Sequence, residues 1–62
     1  MPRDELLTIS EVIRLLRISR PTFYRWRALN QAPECVTLPG GGVRVWRSAV
    51  DRFLAERTHA AA

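Results

Sequence analysis

Apolar residues along this chain recur at two different periods, and the change of period divides the chain into elements. Ile9, Val12, Ile13 and Leu16 stand at i, i+3, i+4 and i+7, with Leu15 widening the stripe, which predicts a helix over about residues 9–16. Thr8 and Glu11 frame its start as a capping box, each side chain serving a backbone N–H of the first turn. A second helix, over about residues 20–29, follows from Ser19 as N-cap and from Pro21 in the first turn, where a missing N–H costs nothing. Taken at about 100° per residue from Arg20, Phe23 and Trp26 form the stripe that a core would hold. The opposite side carries Pro21, Tyr24, Arg25 and Ala28, with Arg20 at its edge.

Only Arg17 and Ile18 lie between the first helix and the Ser19 cap, so the pair reads as a helix-turn-helix with Ile18 filling the angle. Beyond Leu29 the run Asn30-Gln31-Ala32-Pro33 ends the second helix. The period then changes to two. Cys35–Leu38 and Val43–Trp46 are short β-prone runs joined by Pro39-Gly40-Gly41-Gly42, which predicts a hairpin over about residues 35–46. Alternation sets Val43 and Val45 on the face opposite Arg44 and Trp46, so the hairpin has the form of a wing with an outward arginine. Ser48 and Asp51 suggest a third helix start, and Val50, Phe53 and Leu54 supply its stripe over about residues 49–57. The expected architecture is one mainly α domain over residues 6–57 with a small β-hairpin, between a flexible N-terminus (1–5) and a flexible tail (58–62).

Size and composition narrow the chemistry. A domain of 62 residues buries a small core and leaves no room for a deep pocket, so catalysis is not expected. A single cysteine, Cys35, permits no internal disulfide, and with one histidine, His59 in the tail, no zinc-ligand set is expected. Cys35 reads as a small buried or half-buried apolar residue. Neither cofactor nor metal is expected, nor a membrane span, and the cytoplasm is the default compartment, with the nucleoid when bound to DNA.

The formal net charge of +4 matters less than its placement. Between Arg17 and Arg47 six arginines (17, 20, 25, 27, 44 and 47) face one acid, Glu34, whereas the rest of the chain has four arginines and five acids. A strongly basic middle between near-neutral flanks is the footprint of a protein for a polyanion. Arginine suits the second helix because its planar fork grips two phosphate oxygens or the O6/N7 edge of guanine, and a tyrosine can donate to phosphate from a stiff ring. The same face also suits an ordinary solvated helix, and its context must decide.

The stretches LLTISEVIRLL, ISRPTFYRW, VTLPGGGVRV and RSAVDRFLAER, in this order from Leu6 to Arg57, resemble the small winged helix-turn-helix proteins related to MerR. In detail the chain is similar to the excisionase and AlpA-like group of phage and mobile-element DNA-binding proteins. The resemblance implies that the second helix enters the major groove and that the wing approaches the backbone or minor groove. By position, Ser19, Arg20, Thr22, Tyr24 and Arg25 become recognition-helix contacts, and Gly41, Gly42 and Arg44 the wing. Pro21 and Ala28 complete the helix surface, while Arg17, Arg27, Arg44 and Arg47 serve the phosphates. The chain departs from the group in its three-glycine tip and in Trp46, which is expected to pack beneath the hairpin.

The function expected is sequence-specific binding of double-stranded DNA as an excisionase, a factor that binds repeated sites, bends the DNA and assists an integrase. An integrase and further copies of the chain, head-to-tail on DNA, are the partners this implies. No apolar heptad runs past residue 57, so no dimerising coiled coil is expected. A small transcriptional regulator is the alternative, and an adaptor whose Arg-Tyr-Trp face binds an acidic protein is a third reading.

Overall fold

Two of the three helix starts are built from their own sequence, and the third is supplied from the far end of the chain. The computed structural model describes residues 4–58, arranged as β1 (Leu6–Thr8), α1 (Ile9–Leu16), α2 (Arg20–Ala28), β2 (Val36–Thr37), β3 (Val43–Trp46) and α3 (Arg47–Arg57). This is a small winged helix-turn-helix fold. His59 and the rest of the expected tail after Thr58 lie outside the described residues.

At the start of α1 the capping box forms as its spacing predicts. The Glu11 N–H donates to Thr8 Oγ1 at 3.1 Å, and the Thr8 N–H donates to Glu11 Oε1 at 2.8 Å. Arg17 then enters the left-handed region, with φ 56°, and the N–H groups of Arg17 and Ile18 close on the carbonyls of Arg14 and Ile13. That closure turns the chain sharply into α2. There Ser19 accepts from the Thr22 N–H at 3.2 Å. The other end of α2 closes in the same way, through Asn30 at φ 60° and a bond from the Gln31 N–H to the Trp26 carbonyl.

The third strand, β1, is an addition to the expected hairpin. It pairs antiparallel with β3 in the order β1-β3-β2, with Leu7 opposite Val45 and Leu6 opposite Trp46. Leu7 and Val45 face inward and join Ile9, Val12, Phe23 and Val50 in the core; Val12, Phe23, Val45 and Val50 are fully buried. Ile13, Leu16, Ile18, Ala32, Cys35 and Val43 pack around it. Phe53 anchors α3 separately, its ring 5.9 Å from that of Trp26 and 4.0 Å beneath the Arg57 guanidinium.

Several apolar side chains depart from expectation. Trp46 does not pack beneath the hairpin: opposite Leu6 on the outer face of the sheet it is 41% exposed, because Val45 takes the inward position. Leu15 and Leu54 were expected on core stripes and are exposed, Val12 and Phe53 holding the inward positions on their helices.

The start of α3 also differs from expectation. It begins at Arg47 rather than near residue 49, its N-cap is Trp46, and no side chain of its own caps it. Ser48, expected as the cap, sits inside the first turn and presents its N–H to Asp4 Oδ1 at 2.9 Å, while its hydroxyl donates to Asp4 Oδ2. The Arg47 N–H donates to the Glu5 carbonyl at 2.7 Å. Asp4 thus performs an N-cap's task from 44 residues away. Of the N-terminal segment expected to be flexible, Met1–Arg3 lie outside the described residues, whereas Asp4 and Glu5 are tied to α3.

This cap carries a pH dependence. The Ser48 hydroxyl, then its N–H, holds the Asp4 carboxyl below its ordinary range. A carboxyl lowered in the folded state contributes fully above its unfolded pKa, and the contribution is lost as pH falls through the folded value. Asp4→Asn is therefore expected to melt at a lower temperature than the parent at neutral pH. The gap should narrow as pH falls below about 4, as followed by circular dichroism. A gap that stayed constant down to acid pH would show that the Asp4 charge adds nothing.

Candidate nucleic-acid interface

The outward surface of α2 is set by where Phe23 points. With Phe23 fully buried, Pro21, Tyr24, Arg25 and Ala28 are all exposed, as their angular positions require. The Tyr24 ring stands edge-on to Phe23, centroids 5.9 Å apart at 82°, so the core braces it while the residue stays 44% exposed. Arg25 has no ion-pair or side-chain hydrogen-bond partner among the described residues, and all five of its N–H donors face no competitor.

At the N-terminus of α2 the polar groups are already engaged. The hydroxyls of Ser19 and Thr22 lie 2.7 Å apart, and Thr22 is half-buried, so these two build the helix start as well as bordering the surface. Arg20 reaches across to the first helix, Nη2 donating to Ser10 Oγ at 2.7 Å. Arg17, at the turn, is exposed in a conformation that favours glycine; for a non-glycine residue the left-handed region costs about 1 kcal/mol.

The wing is open at its tip. Pro39 and Gly40 form the turn that the Gly41 N–H closes on the Leu38 carbonyl at 2.9 Å, and Gly41 has φ 94°. A Cβ at Gly40 or Gly41 would meet no atom within 4 Å, so nothing in the fold covers the tip. Arg44 does not project freely: it is half-buried, Nη1 donates to the Val43 carbonyl at 2.9 Å, and the guanidinium lies back toward Gly42.

The sheet register brings these parts together. Arg44 pairs with Thr8 across β3 and β1, and Thr8 leads directly into α1. The Glu11 carboxyl, held low first by the Thr8 N–H and then by the Thr8 hydroxyl, also feels Arg14 and Arg44. Ser10, next in sequence, receives Arg20. The base of the wing and the starts of both helices thus meet at one place, with Arg14 and Arg44 near the Glu11 carboxylate and Arg20 bonded to the neighbouring Ser10. Ser10 and Arg14 were not among the sequence candidates. Arg14 could have been recognised as an exposed cation of α1, but nothing in local spacing marks Ser10.

Arg47 and Arg27 stand apart from this convergence. Arg47 opens α3 and is ion-paired with Asp51 at 3.3 Å, an exposed i,i+4 pair. Arg27 lies on the flank of α2 facing Cys35, whose half-buried thiol donates to the Pro33 carbonyl at 3.3 Å. Burial pushes the Cys35 thiol up, and Arg27 opposes that weakly. Among the described residues no helix is long and apolar enough to cross a membrane.

Residues 6–58 match the family model of a helix-turn-helix domain. No curated protein and no solved structure matches the chain.

Proposed function

The chain belongs to the helix-turn-helix domain family and is a small DNA-binding protein of that kind, and from that premise we propose that it reads a specific double-stranded sequence as an excisionase of the AlpA-like, MerR-related group. The observation that carries the reading of sequence is the surface of α2: a capped, core-anchored helix presents a braced Tyr24 and an uncommitted Arg25 on its outward side. Arg20, Tyr24 and Arg25 lie closest to base edges in the major groove. Arg17, Arg27, Arg44 and Arg47 meet phosphates, and the tip at Gly41 and Gly42 lets the wing's backbone approach the duplex. Arg17 stands exposed at the turn between α1 and α2, which places a cation beside the reading helix.

The excisionase role rests on the resemblance of the four ordered stretches between Leu6 and Arg57. Copies bind adjacent repeats head-to-tail, the DNA bends, and an integrase is helped to excise. The protein is not an enzyme and takes no cofactor or metal; it acts in the cytoplasm on the chromosome.

Selection of bound sequences from a random duplex pool, followed by footprinting and gel mobility of circularly permuted fragments, tests the role. Direct repeats with position-dependent mobility are expected. A single unbent site within a promoter would instead make the protein a transcriptional regulator. Absence of salt-dependent binding to duplex at low salt would overturn DNA binding itself, since each phosphate contact contributes a slope of about −0.9 in log K against log salt.

A further inference from the structure

Ser10 is exposed, lies on the first helix, and serves neither the core nor the capping box. Its one side-chain partner among the described residues is Arg20, ten positions away on the second helix. We propose that Ser10 is a specificity-determining positioning residue: it orients the Arg20 guanidinium for a base edge without itself touching DNA. The proposal rests on the reading of α2 as the sequence-reading helix.

The geometry favours this over an incidental contact. The bond is 2.7 Å, short for a nitrogen donor, and among the described residues it is the only side-chain hydrogen bond joining α1 to α2. Arginine has five donors, and Ser10 occupies one of them, so enough remain for a bidentate grip on guanine O6 and N7. An unrestrained arginine loses rotamer freedom when it docks; one already held by a partner has lost part of it beforehand. Ser10 is fixed on the helix that the Thr8–Glu11 capping box anchors, so its hydroxyl is a stable reference point. Arg25, with no such partner, lacks that restraint. The two arginines of one helix surface are thus prepared differently, and discrimination at Arg20's base pair should depend on a residue outside the recognition helix.

The test compares the full chain with Ser10→Ala, Ser10→Thr and Arg20→Ala in selection from a random duplex pool, with thermal melts and salt-dependent anisotropy on a non-specific duplex. Arg20→Ala is expected to erase the preference at one base pair. Ser10→Ala should weaken the preference at that same pair about three- to ten-fold, leave the other positions intact, and keep the parent's salt slope. Ser10→Thr, which retains the hydroxyl, should restore the preference. The proposal is overturned if Ser10→Ala keeps the full preference at Arg20's pair, or if it weakens all sequences equally with a shallower slope, which would make Ser10 a phosphate contact. It is overturned equally if Arg20→Ala alters no position. If the unsubstituted chain enriches no sequence, the reading of α2 fails and the assignment falls with it; enrichment with an unresponsive Ser10→Ala sinks Ser10 alone.

Discussion

Phe23→Ala is expected to leave the chain largely unfolded at physiological temperature. Phe23 is fully buried and touches the core from the middle of α2, so truncation removes its burial and leaves a cavity, at about 3–5 kcal/mol. A domain this small has a total stability of roughly 3–9 kcal/mol. The loss is thus comparable with everything that holds the fold together, and no disulfide offsets it. Leu15→Ala provides the contrast, because Leu15 is 42% exposed and its truncation should cost well under half as much. Circular dichroism melts and urea titrations of the two variants check this. A cooperative melt of Phe23→Ala within a few degrees of the parent would show that the core is not centred on α2.

Arg25→Ala is expected to do the reverse, sparing the fold and damaging recognition. Arg25 is exposed and makes no side-chain bond among the described residues, so its removal should change stability by less than about 0.5 kcal/mol. A bidentate arginine to guanine contributes about 1–3 kcal/mol of discrimination, or roughly five- to 150-fold. Competition between the selected duplex and one altered at a single guanine should therefore lose most of its preference at that position. If the variant lost affinity uniformly, with a salt slope shallower by about one, Arg25 would be a phosphate contact instead. Arg47→Ala should have the smaller effect of the two, because Arg47 already shares its charge with Asp51.

These two substitutions separate what could be read from the chain from what could not. Phe23 and Arg25 both follow from angular position on a helix whose start is marked by Ser19 and Pro21. The inward and outward assignments on α2 therefore needed no coordinates. Trp26 shows the limit of that reasoning: it lies on the inward stripe but is only half-buried, because the small core ends at Phe53 and leaves its outer edge uncovered. Trp46 departs from expectation for a related reason. Alternation within the hairpin places it opposite Val45, but which face is covered depends on α1 and β1, and neither belongs to the hairpin.

Legible in the chain alone were the features whose hydrogen bonds close within a few residues, the Thr8–Glu11 box, the Ser19 cap and the glycine tip, together with the inward direction of Val12 and Phe23 on their helices. Such bonds depend on spacing along the chain, and spacing is visible without coordinates. The strand β1, the cap of α3 by Asp4 and the Ser10–Arg20 bond exist only in the folded chain. A strand of three residues has too little alternation to declare itself, and the other two join residues far apart in sequence. Their partners become neighbours only when the core docks β1 against β3 and α1 against α2, and no local period encodes that meeting.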